Sequence, residues 1–562
     1  MNAERLLAHY EKIADAPDAI ARLRRFILDL AVRGKLVPQD ADEPASELLK
    51  RIAKEKAQLD RKERTKREPR SLNGGAQPIQ LPEGWALAPL ADLVSILNGR
   101  AYKQNELLSA GTPVLRVGNL FTSDRWYYST LELEEDKYCD KGDLIFAWSA
   151  SFGPFIWTGE KVIYHYHIWK LPLHSEANLN KLYLYNFLLQ KTRAIKEAGH
   201  GISMIHMTKE KMELIQVPVP PLAEQHRIVA KVDELMGLCD RLEAARAGRE
   251  AVRDRLSAAS LARLNAPDPE TFHSDARFAL DALPALMTRP DQIRLLRQTI
   301  LNLAVRGKLV PQDTRDEPAS ELLKRIAREK ARLVGEKKLK RQKELPPIDS
   351  DNVPFELCDG WGWSKADNVF LNVTDGFHNT PSPVREGYPY VTAKHIRPNR
   401  IDFDNCLYVD GNNHRELFAK TRVKRGDILI VNIGAGCGTA AMVYVDYEFS
   451  FKNVAIVNPP SVMDGKFVLL FLLYYRDLVF DELIKGGAQP FLGLGMLREM
   501  LVPIPPLAEQ NRIVAKVDEL MTLCDRLEGS LTAAATTRRR LLDALLAEAL
   551  TPAAARELEA AE

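Results

Sequence analysis

The chain has 562 residues, about three or four domains at roughly 150 residues each, so a single small fold is excluded. Its 78 Lys and Arg nearly balance 76 Asp and Glu, for a net charge of +2, so no global field draws it to a polyanion or a membrane surface. Hydrophobic residues make up 46% and charged residues 27%, and no apolar run nears the roughly 20 residues of a membrane span, which excludes a membrane protein.

The first segment, MNAERLLAHYEKIAD, has no continuous apolar core or small-residue cleavage site, which points to the cytoplasm. A helix is then expected from the Pro17-Asp18-x-Ile20 start signal. It ends at a turn, AVRGKLVPQD (Ala31 to Asp40), followed by a charged helix that opens DEPASELLKRIA at Asp42. Residues 1–74 thus form an N-terminal helical region. From 75 to 220 the pattern changes to short β-type runs, Leu144 to Trp148 and Val162 to Trp169, punctuated by Gly, Asn and Pro. This segment opens at Trp85 in LPEGW, carries Gly142-Asp143 before an apolar run, and closes on consecutive prolines that favour a helix start.

That helix, PLAEQHRIVAKVDELMGLCDRLE from Pro221 to Glu243, returns as PLAEQNRIVAKVDELMTLCDRLE from Pro506 to Glu528, with changes only at His226/Asn511 and Gly237/Thr522. The upstream parts return too. Pro290-Asp291-x-Ile293, AVRGKLVPQD from Ala304 and DEPASELLKRIA from Asp316 keep the order of the first copy. Residues 221–344 form a central helical region, 345–505 a second α+β segment, and 506–562 a final helix. The second segment matches the first only in plan: Trp361 in LCDGW, Gly426-Asp427 before Ile428, and β runs at Tyr388 to Thr392 and Ile428 to Ile433. One scaffold carrying two different surfaces is the inference.

Ile228, Val232, Leu235, Cys239 and Leu242 recur at alternating spacings of four and three, as do Ile513, Val517, Leu520, Cys524 and Leu527. This is a coiled-coil seam. Two near-identical seams are expected to bury each other in an antiparallel coiled coil that relates the globular segments by a pseudo-two-fold axis. The other reading is that each seam docks on its own domain. The charge runs from Lys50 and Lys324 read as solvated helix faces or tethers, with phosphate or partner contact as the second reading.

The six cysteines, at 139, 239, 358, 406, 437 and 524, form no CxxC pair and read as reduced thiols, with Cys239 and Cys524 as small core residues. Asn458-Pro459-Pro460-Ser461 has serine where the adenine methyltransferase motif needs an aromatic to stack on the base. The loop Phe491-Leu492-Gly493-Leu494-Gly495 resembles a cofactor loop, but only seven residues separate Gly495 from Pro503, too few for the strand-helix-strand unit it requires. Gly434-Ala-Gly436-Cys-Gly438 has no GK[ST] after it and reads as a tight turn. His165 and His167 would share one face of a strand, two ligands at most, and read better as surface or DNA-facing imidazoles than as a metal site.

In combination these features resemble the specificity subunits of Type I restriction-modification systems, in the branch with an extended N-terminus. The resemblance rests on the paired PPLAEQxRIVAKVDEL segments, the paired AVRGKLVPQ…EPASELL segments, LPEGW and two dissimilar globular segments, and it spans essentially the whole chain. It implies two mixed α/β target recognition domains, each reading one part of a split asymmetric double-stranded DNA site. Conserved helices would act as a ruler and dock two methyltransferase subunits, and motor-endonuclease subunits would join for restriction. No cofactor would be bound by this chain; S-adenosylmethionine would sit on the methyltransferase partners. No catalytic residue, metal site or membrane partner is expected.

Independently, two related domains about one DNA turn apart, roughly 34 Å, can engage the major groove on one face of a duplex. Unlike domains predict unlike half-sites. The expected DNA-binding residues of the first domain are Arg100, Tyr102, Lys103, Arg116, Asn119, Ser149, Ser151, His200, Ser203 and His206. In the second they are His378, Asn379, Thr380, Lys394, His395, Arg397, Asn432, Lys452 and Gln489. Arg and Lys suit guanine O6/N7, and Asn and Gln suit adenine N6/N7, while a phosphate contact is an equal alternative for each. Two other classes stay open on the residues: a stand-alone methyltransferase or nuclease with degenerate motifs, and a structural coiled-coil assembly protein.

Overall fold

The computed structural model describes residues 15–39, 43–63, 81–149, 152–198, 207–266, 268, 270–341, 345–349, 351, 353–376, 381–434, 436–484 and 490–550. The principal helices are α1 (Ala19–Val32), α2 (Ala45–Glu63), α3 (Lys181–Ala198), α4 (Leu222–Asn265), α5 (Phe272–Leu286), α6 (Pro290–Val305), α7 (Ala319–Gly335), α8 (Gly411–Thr421), α9 (Gly465–Ile484) and α10 (Leu507–Leu550). Two compact units arise, residues 1–249 with 535–562, and residues 250–534. Each unit therefore takes the first part of one long helix and the last part of the other.

In the first unit, α1 presents Ile27, Leu28 and Ala31 to Ile228, Val229, Val232 and Cys239 of α4. Each apolar side chain buried here is worth about 1.5–3 kcal/mol. Arg24 ties the same pair of helices through Asp240 at 2.6 Å and Glu243 at 2.7 Å. Ala16 and Ala19 at the other end of α1 pack on Leu542 and Leu545 of α10, where Arg539 meets Asp18 at 3.6 Å and Arg22 pairs with Asp543. As α1 is approached and followed forward, its α4 partners run back from Arg246 to Asp240 and its α10 partners run on from Arg539 to Asp543, so the two long-helix segments run antiparallel with α1 lodged between them.

The second unit repeats this. Arg297 of α6 meets Asp525 at 2.6 Å and Glu528 at 2.7 Å, and Ile293, Ile300 and Ala304 share a core with Ile513, Val517 and Cys524. On its other flank Arg289 reaches Glu250 and Asp254, each at 2.7 Å, and Leu303 packs with Leu261 and Leu264. The seam residues read from the sequence as a contact between twins thus face a third, short helix. Leu235 and Leu520 pack partly into the same clusters; Leu527 is shared by the clusters around Ile293 and Leu303, and Leu242 is 37% exposed. The physical reason is that a 4-3 stripe states that a helix needs a helical partner but not which one, and α1 and α6 carry matching stripes next door.

The inserted domain of the first unit is closed at its base by β1 (Ala86–Pro89) against β10 (Gln216–Val219), with Ala86 opposite Val219. Two four-stranded sheets follow. One has the order β2-β9-β6-β7, from Leu97–Asn98, Ile168–Lys170, Leu144–Ala147 and Gly153–Ile156. The other has the order β4-β3-β8-β5, from Tyr127–Ser129, Thr112–Leu115, Val162–Tyr164 and Tyr138–Cys139. The Val162 to Trp169 run expected as one strand is two, broken by a turn at 165–167. In the second unit β11 (Gly362–Lys365) pairs with β21 (Leu501–Ile504). Its sheet β12-β20-β17-β18 comprises Asn372–Asp375, Val454–Asn458, Ile428–Val431 and Ala440–Met442. The sheet β16-β13-β19 comprises Leu407–Val409, Tyr388–Thr392 and Ser450–Lys452, and Ile396–Arg397 and Arg400–Ile401 form the short pair β14-β15. The order β2-β9-β6-β7 recurs as β12-β20-β17-β18 and β4-β3-β8 as β16-β13-β19, down to the parallel pairs β3·β8 and β13·β19, while β5 belongs to the first unit alone and β14-β15 to the second.

The repeated motifs are the joints of this scaffold. Gly34 and Gly307 adopt φ +64 and +68, and a Cβ there would approach Trp85 or Trp361 to 3.0 or 2.9 Å; the RGKLVPQ turn is how the lead helix meets that indole. Trp85 Nε1 donates to Glu224 at 3.1 Å and Trp361 Nε1 to Glu509 at 2.9 Å. The side-chain amides of Gln225 and Gln510 donate to Pro220 O and Pro505 O, both at 3.0 Å, while their oxygens accept from Asn180 N and Asp464 N at the starts of α3 and α9. Part of each charge run is also structural. Lys56 donates to Ala91 O at 2.8 Å, and Lys330 to Phe370 O at 3.0 Å and Asn368 O at 3.3 Å, capping the carbonyl end of the short helix after β1 or β11. Burial pushes the Lys330 ammonium down to about 8.

Candidate nucleic-acid interface

In the first unit, β2, β3, β6 and β8 all end at one edge of the inserted domain, and the residues just past their ends form its surface. Arg100 follows β2: its amide donates to Tyr164 O at 3.1 Å and its guanidinium grips Glu106 through two bonds of 3.0 and 2.8 Å. The same guanidinium lies 5.3 Å from the Tyr102 ring. Burial pushes the Tyr102 hydroxyl up to about 12. Lys103 is exposed, its amide held by Glu106 at 2.8 Å.

Arg116 follows β3 and is exposed. Its amide is capped by Asn119 Oδ1 at 3.1 Å, which starts the short helix Val117–Phe121. The guanidiniums of Arg116 and Arg125 sit 5.1 and 5.2 Å from the Tyr127 ring, a cation–π arrangement. Asn119 also donates to Arg125 O at 2.9 Å, so its amide serves the loop. Past β8 lies the turn His165-Tyr166-His167, whose ring centroids are 4.4, 4.9 and 3.9 Å apart pairwise. Trp148, past β6, packs on Tyr166 and His167 at 6.1 and 5.1 Å, with Ser149 half-buried beside it. Burial first, then His167 and Arg116, hold the His165 imidazole down to about 4, a neutral ring. The two histidines lie in this turn and not along one strand face. Among the described residues no three His, Cys, Asp or Glu side chains gather to hold a metal.

The second unit places equivalent positions at the same edge with other chemistry. Thr392, the last residue of β13, matches Arg116 just past β3: its amide is capped by His395 Nδ1 at 2.9 Å as that of Arg116 is by Asn119. His395 is therefore turned inward, 3% exposed, a cap of its own turn and not a surface reader. Asn432, just past β17, is likewise 5% exposed. Lys394 and Arg397 are exposed and, with Thr439 and Arg476 of α9, line a basic cleft of about 380 Å³. Lys452 is half-buried at the end of β19, opposite Thr392. Ser151, His200, Ser203, His206, His378, Asn379, Thr380 and Gln489 lie outside the described residues.

Sequence reasoning missed Trp148, Tyr166, Arg125, Tyr127 and Arg476. The signal for the first two was present in YHYHIWK, but a strand reading hid the turn. Arg476 sits inside an apolar helix where nothing marks it as facing a cleft. The motif look-alikes are structural. Asn458 ends β20 opposite Asn372 and its side chain bonds Asp427; Gly434 to Gly438 join β17 to β18, with Gly434 N donating to Pro490 O at 2.9 Å. His414 bonds Ser450 at 2.9 Å and Glu448 at 3.2 Å, but Ser450 is 1% exposed, so this trio presents no hydroxyl to a substrate.

These features define a duplicated recognition chain: one α+β scaffold built twice, with unlike basic and aromatic edges. A family model described as Type I restriction modification DNA specificity domain matches residues 82–247 and 384–536. The chain belongs to that family, the specificity subunits of Type I restriction-modification systems. It is 30% identical to the Type I restriction enzyme EcoAI specificity subunit of Escherichia coli over 94% of this chain and 93% of that one. It is 31% identical to the EcoEI specificity subunit, also of Escherichia coli, over 94% of each. Among solved structures, the HsdS subunit from Thermoanaerobacter tengcongensis aligns at 18% identity and TM-score 0.41, covering 84% of this chain and 98% of that one. No helix among the described residues is long and apolar enough to cross a membrane.

Proposed function

We propose that this chain is the DNA-reading subunit of a Type I restriction-modification complex. Its two inserted domains, within 75–220 and 345–505, each read one part of a split asymmetric site in duplex DNA. The long helices, 44 residues each and so roughly 66 Å long at about 1.5 Å per residue, set the unread spacer and dock two adenine methyltransferase subunits that carry S-adenosylmethionine. Motor-endonuclease subunits join for restriction in the cytoplasm. The chain supplies selection and its partners the chemistry.

One observation carries this reading: the orders β2-β9-β6-β7 and β4-β3-β8 recur as β12-β20-β17-β18 and β16-β13-β19, while the residues at equivalent strand ends differ, Arg116 and Asn119 against Thr392 and His395. A duplicated reader with unlike edges selects unlike half-sites; two alike would select a palindrome. Single-molecule sequencing of methylated adenines, with this gene present and deleted, tests it. A split motif that vanishes on deletion is expected, and an unchanged methylome would overturn it. Purified chain with S-adenosylmethionine and DNA should transfer no methyl group until its partners are added.

A further inference from the structure

The two inserted domains share the parallel pairs β3·β8 and β13·β19 and the sheet order around them, yet the connection that follows β8 and β19 at this edge differs in length. Arg116 and Thr392 are the matching capped positions, and the residues before them pair as Leu115 with Tyr164 and Val391 with Phe451, so Tyr164 and Phe451 are equivalent. From Phe451 the second unit reaches its next strand, which begins at Val454, through two residues, Lys452 and Asn453, the latter at φ +54. From Tyr164 the first unit uses three: His165, Tyr166 and His167. The additional length sits where Arg100, Arg116 and Trp148 also emerge.

This turn is rigid. His165 N donates to Leu115 O at 2.9 Å, Tyr166 N to Arg100 O at 3.0 Å, and Trp148 N to His167 O at 3.0 Å. The Trp148 indole donates to Tyr166 O at 2.8 Å. With the backbone so held, the Tyr166 ring stands 39% exposed on a base of Trp148 and His167. An aromatic already fixed in place loses little conformational entropy on binding. Its immediate neighbours are rings, and the neutral His165 adds no cation; the guanidiniums of Arg116 and Arg125 lie to one side over Tyr127. A protruding aromatic in a largely uncharged frame suits stacked or partly unstacked bases, whereas the flanking arginines suit phosphates.

We propose that the His165-Tyr166-His167 turn is the base-reading element of the first unit, with the Tyr166 ring meeting base edges or a base step and Arg116 and Arg125 holding the adjoining backbone. The proposal rests on the DNA-specificity reading above and names the residues that carry half of it.

The test uses Tyr166→Ala in the full chain, assembled with its methyltransferase partners. Methylated adenines are mapped, and binding is titrated against salt on duplexes altered one base pair at a time. Because Tyr166 is exposed, the variant should keep the wild-type unfolding midpoint. The expected result is a loss of discrimination on the order of tenfold to a hundredfold at positions in one half-site, with the other half-site, the spacer and the salt slope unchanged. An unaltered motif would overturn the assignment. So would uniform weakening across all sequences, the mark of a contact to the backbone and not to bases. If the wild-type complex itself yields no split motif, the DNA-specificity reading fails, and that outcome is distinct from a failure of the turn.

Discussion

Trp361 donates its indole N–H to the carboxylate of Glu509 at 2.9 Å, joining the start of the second inserted domain to the first turn of the long helix that leaves it. Glu509 is 2% exposed and also accepts from Gln312 at 3.5 Å. Replacing Trp361 by Phe keeps most of the apolar packing but removes a donor from a buried acceptor. The expected cost is about 1–3 kcal/mol, read as a lower unfolding midpoint in urea, with Trp85→Phe giving a matching loss through Glu224.

The same carboxylate makes stability depend on pH. Burial raises the Glu509 pKa above its ordinary 4.5, against smaller lowering contributions from Trp361 and Gln312. A raised folded value means the protonated form is favoured in the fold, so this contribution is full below 4.5 and is lost as pH rises through the folded value. Glu509→Gln keeps an acceptor for Trp361 without the charge. Its midpoint should therefore gain on the wild type as pH is raised from about 4 to 8; a constant difference across that range would contradict the assignment.

Arg24 and Arg297 hold equivalent places, each bridging two carboxylates one helical turn apart on a long helix. Their side chains are 25% and 28% exposed while three of the four partners are more than half exposed, so screening keeps the gain modest. Arg24→Ala and Arg297→Ala should each cost about 1 kcal/mol, with the loss shrinking in high salt. Thermal melts at low and high ionic strength read this directly.

Arg116 and Lys394 are exposed at corresponding edges of the two units, and we expect both to face DNA. Lys394→Ala should weaken binding and reduce the salt slope of log K by about one if it meets a phosphate. Arg116→Ala should instead relax sequence preference if it meets guanine. A variant whose affinity, preference and slope all match the wild type would remove that residue from the interface.

Deleting four residues from the second half of α4, past the seam, shortens that helix by about one turn while sparing both inserted domains. The mapped motif should keep its two half-sites and change its spacer. Altered half-sites with the old spacer would refute the role of the long helices as a ruler.

The scaffold was legible because its determinants are local and written twice. A left-handed Gly34, the Trp85–Glu224 bond and the Gln225 cap each depend on residues at fixed offsets from a motif, and identical strings had to do identical work. Partner choice was not legible. Ile228 and Val232 show the spacing of a buried stripe, but nothing in that spacing separates the opposite long helix from α1. The interface was half visible for a similar reason. His395 and Asn432 have the chemistry of base readers, yet a turn cap holds the first inward and the second follows a strand buried on both faces, and neither is a property of residue type. Tyr166 was hidden because β-branched and aromatic residues run from Val162 to Trp169 with no Gly, Pro, Asn or Asp to mark the turn between β8 and β9.

The middle unit, residues 250–534, is one continuous stretch of chain, whereas the first unit needs residues 535–562 as well as 1–249. Ala16 and Ala19 share their apolar cluster with Leu541, Leu542, Leu545 and Leu546 of the final helix. On the ribosome, where earlier segments ordinarily fold before later ones, the order of completion is therefore inverted. The second reader can finish while the first, made earlier, still waits for its final helical turns. A nascent chain halted before residue 535 carries a first reader without its last support, and that is where holding chaperones and proteases would act.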